Sequence, residues 1–273
     1  MSIPSSPRAV VTGAASGLGR ALCIALARRS ARIVIADIDV VGAEETAHQV
    51  QQSGGVACVQ RCDVSKVEQV EALAALADQR FGGSDLIVNN AGVGVGGAMG
   101  EIALSDWEWA IGINLWGVIY GCHVFVPRFK QQGSGHVLNI ASVAGLISAP
   151  EMGPYNVSKA GVVSLSETLY GELSSRGIGV TVVCPAFFAS SILDSSRFAG
   201  GKHELTGTAK EMMKKSKVQA PDVAARALAS CDRDQLYCVP MSDARWGWRI
   251  KRWAPQHFYR KVMPSVLRNG GAG

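Results

Sequence analysis

Residues 8–22 read RAVVTGAASGLGRAL, and the succession of residue types in them decides the fold. RAVVT is a short, continuous apolar run of the kind that forms a strand buried on both faces. From Gly17 the pattern changes to GLGRALCIALARRS, whose apolar residues recur at helical spacing. The turn between them carries Gly13, Gly17 and Gly19, spaced Gly-x-x-x-Gly-x-Gly, with Ser16 and Leu18 inside it. Glycine at such a turn lets the backbone approach a pyrophosphate closely, while the first N–H groups of the helix point at it. The stretch predicts a parallel strand, a dinucleotide seat and a helix, in that order.

The same alternation repeats along the chain. ARIVIAD (31–37), VACVQRCDV (56–64), DLIVNNAG (85–92), GHVLNIAS (135–142), GIGVTVVCPA (177–186) and QLYCVP (235–240) read as further strands. Helical patterns separate them over about 41–52, 66–80 and 104–132, and another helix starts near Pro154. Strands continuous in Val and Ile, alternating with helices, imply right-handed crossovers and an α/β doubly wound parallel sheet covered by helices on both faces. No repeat or linker interrupts residues 1–242, which read as one domain, and 243–273 read as a basic, Trp-rich helical extension.

Composition narrows the function. The 273 residues are 48% apolar and 18% charged, as in a globular protein. No run of about 18 apolar residues suggests a spanning helix, and the N-terminus lacks the shape of a signal peptide. The seven cysteines are odd in number and form no Cys-x-x-Cys pair, which fits thiols in a reducing cytoplasm better than disulfides or a metal site. The chain holds 27 basic and 22 acidic side chains, yet residues 243–273 alone hold seven and one. The body is therefore near neutral, and no nucleic-acid groove is expected.

The strand ends carry polar residues suited to a dinucleotide. Asp37 ends the second strand 18 residues after Gly19, where a carboxylate accepts both hydroxyls of an adenosine ribose and repels a 2′-phosphate. Ile38 follows it where an Arg or Lys would favour NADP(H), so NAD(H) is expected and NADP(H) disfavoured. Asp63, followed by Val64, ends the third strand within reach of an adenine amino group. Asn90, Ala91 and Gly92, in NNAG, end the fourth, where ligands bind in doubly wound sheets.

SVAGLISAPEMGPYNVSKAG (142–161) supplies the chemistry. Tyr155 and Lys159 stand at i and i+4, on one face of a helix, with the hydroxyl of Ser142 upstream. A tyrosine titrates near ~10 and is a poor base at neutral pH. Lys159, an oxidised nicotinamide ring and the helix N-terminus after Pro154 are the positive charges expected to lower that value. Ser142 is placed to hold a substrate oxygen toward Tyr155.

TGAASGLG (12–19), Asp37, Asp63, NNAG (89–92), Asn114, Ser142 and YNVSK (155–159) together resemble the short-chain dehydrogenase/reductase family, in its compact single-domain branch, over about residues 8–190. The resemblance implies a Rossmann-type sheet of about seven strands in the order 3-2-1-4-5-6-7. It implies that Tyr155 is the general acid–base, that Lys159 also grips the nicotinamide ribose, and that Asn114 anchors a water of a proton relay. It further implies assembly into homodimers or homotetramers through helices at about 104–132 and 154–176. One motif departs from the family: PAFFAS (185–190) stands where Pro-Gly-x-Val-x-Thr is common. Pro185, Phe188 and Ser190 are still expected at the carboxamide, with Ala186 in glycine's place.

The substrate wall is expected from the glycine-rich stretch 92–100, read as pliable, from 143–152, and from a lid at 189–216. Val143, Met152 and Phe187 join Ser142 and Tyr155 there, with Val93, Met99, Leu146, Ile192, Leu193, Phe198, Met212 and Met213 nearby. This apolar set favours a hydrophobic secondary alcohol or ketone. The lid lysines 202, 210, 214, 215 and 217 keep an alternative open, a reductase of 3-oxoacyl thioesters. From another class, a non-catalytic NAD-binding sensor or membrane-surface scaffold is opposed by the intact Ser–Tyr–Lys set. In the extension, Trp246, Ile250 and Trp253 fall on one helical face, and apolar positions recur from Phe258 to Leu267. Packing on protein is favoured for it over contact with a membrane, so the chain is expected in the cytoplasm, with peripheral membrane attachment as the alternative.

Overall fold

β1 (Arg8–Thr12) is the strand around which the chain organises itself. It pairs in parallel with β2 (Arg32–Asp37) on one side and β4 (Leu86–Asn89) on the other. The structure, a computed structural model, describes residues 3–193, 196–199, 213–214 and 216–265. β3 (Val56–Arg61) pairs with β2, β6 (Gly135–Ile140) with β4, and β7 (Ile178–Val183) with β6. β9 (Tyr237–Cys238) closes the far edge, all in parallel. The sheet order is β3-β2-β1-β4-β6-β7-β9. Numbered within this sheet alone, that is 3-2-1-4-5-6-7, the expected order. β4 and β7 are buried throughout, as continuous Val/Ile runs require when helices cover both faces.

Two helical layers enclose the sheet. α1 (Gly17–Ala27) touches α2 (Val40–Gln52) and α7 (Ala220–Asp232). α3 (Val67–Phe81) packs on α5 (Gly117–Gln132), and α4 (Leu104–Ile111) on α6 (Gly153–Leu173). The long helical region expected over 104–132 forms with one irregularity: Gly112–Trp116, between α4 and α5, winds as a π-helix. The continuous helix Leu104–Gln132 is long and apolar enough by composition to cross a bilayer, although no such run was expected. Half of its most apolar window is buried inside the fold, as in a core helix.

Three features differ from expectation. α7 was not anticipated. Its signals are a Pro in the first turn and a capping box in which Gln219 and Asp222 satisfy each other's backbone. Second, β5 (Val95–Gly96) and β8 (Arg197–Phe198) form a separate parallel ribbon. The glycine-rich stretch is thus a contact surface rather than a pliable wall. A Cβ on Gly96 or Gly97 would press on Phe198 or Ala199 of the opposing segment. Third, α8 (Ser242–Trp253) does not pack through the Trp246–Ile250–Trp253 face. Ala244 is buried and Gly247, Trp248, Ile250 and Lys251 are partly so, while Trp246 and Trp253 are exposed. Lid residues 200–212 and 215, including Lys202, Lys210, Met212 and Lys215, and tail residues 266–273 lie outside the described residues.

Where the layers approach most closely, glycine is a packing requirement. A Cβ on Gly121 of α5 would overlap the buried amide of Asn89 on β4, whereas one on exposed Gly171 of α6 would meet nothing. Gly121→Ala should therefore lose about 1–3 kcal/mol through overpacking. Gly171→Ala should gain up to about 1 kcal/mol of helix propensity. Urea unfolding of both variants checks the pair, and equal effects would contradict this packing.

Candidate active site

The turn between β1 and α1 has the geometry of a cradle. Gly13 and Gly17 hold φ of +63° and +53°, the left-handed region in which glycine is at ease. A Cβ on Gly13 would stand 2.6 Å from Ala91 Cα, so the β1 and β4 ends meet only because it is absent. Ser16 occupies the N-cap position of α1, and its carbonyl accepts from Arg20 N. Leu18 and Gly19 turn into the core. Asn90 donates from Nδ2 to the carbonyls of Thr12 (2.9 Å) and Gly13 (2.8 Å). Thr12 Oγ1 in turn accepts from the backbone N–H groups of Asn90 and Ala91. Sequence reading gave Thr12 no role; its only local signal is its place between the strand valines and Gly13.

At the end of β2, Asp37 accepts from Ala15 N (2.8 Å) through one oxygen and from Asp39 N (3.0 Å) through the other. Its carboxylate is thereby fixed against the glycine turn, with Ile38 exposed beside it. Asp63 accepts from the backbone and hydroxyl of Ser65, and buried Val64 packs against Gly117. Both carboxylates act on Cys62, which burial first and then their charge push up to about 12.

The second constellation gathers over Gly92. A Cβ there would stand 3.1 Å from Asn114 Oδ1 and 3.3 Å from Lys159 Nζ. Lys159 is 3% exposed and donates from Nζ to the Ile140 carbonyl at 3.0 Å. Its ammonium lies 5.8 Å from the centre of the Tyr155 ring. Ser142 follows β6, accepts from Ala144 N (3.1 Å) and shares a side-chain hydrogen bond with Tyr155. Gly153 and Pro154 open α6, so Tyr155 occupies its first turn, at the positive end of the helix dipole.

Asn114 sits within the π-helical turn, fully buried. It accepts from Val93 N (2.8 Å) and donates to Val93 O (2.9 Å) and Ser158 Oγ (3.2 Å). Both of its N–H donors are therefore used in holding the chain after β4 against α6. Ser158, which sequence reading passed over, relays this grip to the Tyr155 carbonyl at 2.9 Å.

After β7, the Pro185 carbonyl accepts from Val143 N (2.9 Å), and Ala189 N donates to Gln219 Oε1 (2.9 Å). Ala186 keeps an ordinary negative φ, so the turn forms without the family's glycine. Phe188 and Ser190 are half-buried on this turn and Phe187 is exposed. Of the expected wall, Val143 and Met152 are partly accessible, Val93 and Leu146 are buried, and Met99 is 81% exposed.

A family profile described as short chain dehydrogenase matches residues 7–199. The chain belongs to the short-chain dehydrogenase family. It is 33% identical to the probable oxidoreductase EphD of Mycobacterium tuberculosis over 95% of its own length but only 43% of that protein, so it spans less than half of this relative. It is 34% identical to 3beta-hydroxysteroid dehydrogenase 1 of Eggerthella lenta, covering 84% of this chain and 88% of the other. A short-chain dehydrogenase/reductase from Burkholderia phymatum, solved in complex with NAD, superposes with a TM-score of 0.87 at 34% identity. That match covers 92% of this chain and 94% of the other. A nicotinamide dinucleotide fits the cradle: two left-handed glycines, a fixed carboxylate at Asp37 and an open Gly92 beneath a buried ammonium are the features it would use.

The electrostatics of this site differ from the sequence expectation. Burial pushes the Tyr155 phenol above its ordinary value, and the hydrogen bond with Ser142 only partly opposes it. Lys159 is itself pushed down to about 8 by burial, with the Cys184 thiol opposing. A lysine that is neutralised more easily in the folded state binds fewer protons there than in the unfolded chain between about pH 8 and 10.5. Stability therefore rises with pH across that window, and the full penalty applies below it. Lys159→Met should be more stable than the parent at pH 7 by about 2 kcal/mol, net of the lost bond to Ile140. The advantage should vanish toward pH 10.5. Thermal unfolding of both proteins at the two pH values tests this, and a destabilised variant at pH 7 would contradict it.

Proposed function

We propose that the chain is an NAD(H)-dependent oxidoreductase that interconverts a hydrophobic secondary alcohol and its ketone, with Tyr155 as general acid–base. The observation that carries this reading is the buried Lys159 ammonium, tied to the Ile140 carbonyl and 5.8 Å from the centre of the Tyr155 ring, with the Ser142 hydroxyl acting on that phenol. A bound nicotinamide supplies the hydride acceptor for oxidation, or its donor for reduction. Gly13, Ser16, Gly17, Leu18 and Gly19 would hold its pyrophosphate and Asp37 and Ile38 the adenosine ribose. Asp63, Val64, Asn90, Ala91 and Gly92 would line the adenine and central part, and Pro185, Phe188 and Ser190 the carboxamide end.

Ser142 Oγ holds the substrate oxygen against Tyr155 Oη. In oxidation Tyr155 removes the hydroxyl proton, and in reduction it returns one. Because burial raises the phenol in the protein alone, the charge that makes it a base must come from Lys159 and the oxidised nicotinamide acting together. Lys159 also reaches a ribose hydroxyl. Asn114, with both amide donors engaged, acts by fixing Val93 and Ser158, and the family resemblance adds the anchoring of a relay water. Val143, Met152 and Phe187 form the apolar wall, and the 3beta-hydroxysteroid dehydrogenase relative supports a bulky hydrophobic alcohol.

Assembly into a homodimer or homotetramer is supported by Leu104, Trp116 and Val157, exposed at 79%, 48% and 51% on the helices expected at the interface. A cytoplasmic setting is supported by seven unpaired cysteines, most of them buried.

Tyr155→Phe should reduce turnover by about 10²–10⁴-fold with little change in cofactor affinity. Absorbance of the reduced cofactor across a panel of steroids, aryl carbinols and polyols reads this out. Turnover unchanged by the substitution would overturn the role given to Tyr155, and a parent inactive across the whole panel would leave the chain a non-catalytic NAD-binding protein. The preference for NAD over NADP should invert or disappear in Asp37→Ala, because the carboxylate that repels a 2′-phosphate is gone. A parent that prefers NADPH would instead favour the 3-oxoacyl-thioester reductase.

A further inference from the structure

α8 (Ser242–Trp253) has two unlike faces. The inner face, Ala244, Gly247, Trp248 and Lys251, lies on the body of the protein. The Trp248 ring stands 5.0 Å from that of Tyr237, Lys251 Nζ donates to the Leu146 carbonyl at 2.6 Å, and Gly247 lies against Ile147. Just beyond the helix, Phe258 is buried and Tyr259 Oη accepts from Ser148 N at 3.2 Å. The extension therefore grips the segment that follows Ser142.

The outer face consists of Arg245, Trp246, Arg249, Arg252 and Trp253, at positions i, i+1, i+4, i+7 and i+8, all exposed. Trp246 is 64% and Trp253 90% exposed, the latter more than any other large apolar side chain described. The Arg249 guanidinium lies 5.8 Å from the Trp246 ring, and Arg249, Arg252 and Trp253 line a shallow hollow of about 520 Å³. Along α8 this face carries no carboxylate, since the helix's one acid, Asp243, is in its first turn; Glu167 of α6 reaches only the edge of the face, beside Arg252.

Indoles exposed among arginines are suited to the headgroup layer of a bilayer, where the ring is half in apolar surroundings and the guanidinium meets phosphate. A second copy related by a two-fold axis would set these arginines against their own counterparts, with no carboxylate to receive them. We propose that this face docks on a bilayer of anionic phospholipid, the hollow taking a lipid phosphate and the two indoles entering the headgroup layer. The charge of the chain is concentrated in the extension while the body is nearly neutral, so attraction to such a surface would orient the protein with α8 toward it. The proposal is independent of the substrate assignment above.

Sedimentation of the full chain with vesicles of phosphatidylcholine alone, or containing phosphatidylglycerol, tests it. Binding should require the anionic lipid and weaken with salt. Arg245→Glu/Arg249→Glu/Arg252→Glu should lower the partition coefficient by about a hundredfold. Trp246→Ala/Trp253→Ala should lower it by about tenfold and abolish the blue shift of tryptophan emission on binding. All five side chains are exposed, and only Arg252 also touches the inner face, its guanidinium 5.4 Å from the Trp248 ring, so the variants should keep the parent's thermal midpoint; any that does not is replaced by its Gln counterpart. Equal binding to both vesicles, or binding unaffected by either set, overturns the proposal. So does self-association that the Trp variants abolish without any vesicle binding, which would assign the face to a second copy. Tryptophan emission that responds to inorganic phosphate while vesicles are ignored would assign it to a small anion instead.

Discussion

Two strand ends are stitched together by two side chains, and the site rests on that seam. The Asn90 amide spans the Thr12 and Gly13 carbonyls, and the Thr12 hydroxyl accepts the N–H groups of Asn90 and Ala91. Neither residue can be replaced by an apolar one without leaving buried backbone groups unpaired, which is costly in a low-dielectric interior. The seam sets how closely the glycine turn approaches the end of β4. It thereby aligns a seat for phosphates with Gly92, over which Lys159 and Asn114 converge. The four bonds register the glycine turn to the end of β4, and Asn114, bonded to Val93 and Ser158, carries that register on to Tyr155 and Lys159.

Tyr155 and Lys159 are held under electrostatic tension. Burial disfavours the charged forms of both Tyr155 and Lys159, so the protein alone holds a neutral phenol beside an ammonium that readily loses its proton. The Ile140 carbonyl keeps that ammonium in place. This arrangement makes the acidity of the phenol depend on what else enters the site, which suits the general acid–base role proposed for Tyr155. The cost is borne as stability, since a buried lysine weakens the fold wherever it is protonated, below about pH 8.

The extension joins this centre to the periphery. Its inner face holds the 146–148 carbonyl and amide groups, and the chain continues from there to Met152 and the start of α6. Met152 is also bridged to Gly97, so the wall beside Tyr155 is braced from the glycine-rich stretch as well. On the other side of that stretch the β5–β8 ribbon is secured by Arg197, which pairs with Asp106 and stacks 3.9 Å over Trp109.

Much of the fold was legible in the chain itself. Runs of Val and Ile alternating with helical repeats can be satisfied only by a doubly buried parallel sheet, and glycines at 13, 17 and 19 mark the strand-to-helix turn, because period and backbone freedom are local properties. The Tyr155–Lys159 pair was legible for the same reason, since i, i+4 spacing on a helix is fixed by its pitch, whereas Ser142, after β6, joined it through the resemblance of the whole motif set. What the sequence did not reveal depended on partners distant along the chain. Thr12 looks like any strand-end hydroxyl until β4 lies beside it, and the glycines at 96 and 97 look pliable until β8 arrives. Trp246, Ile250 and Trp253 form an apolar face by periodicity, yet α8 buries the opposite one. The body offered Tyr237 and Ile147 to Trp248 and Gly247, and only the tertiary structure decides which side of an amphipathic helix meets a complementary surface.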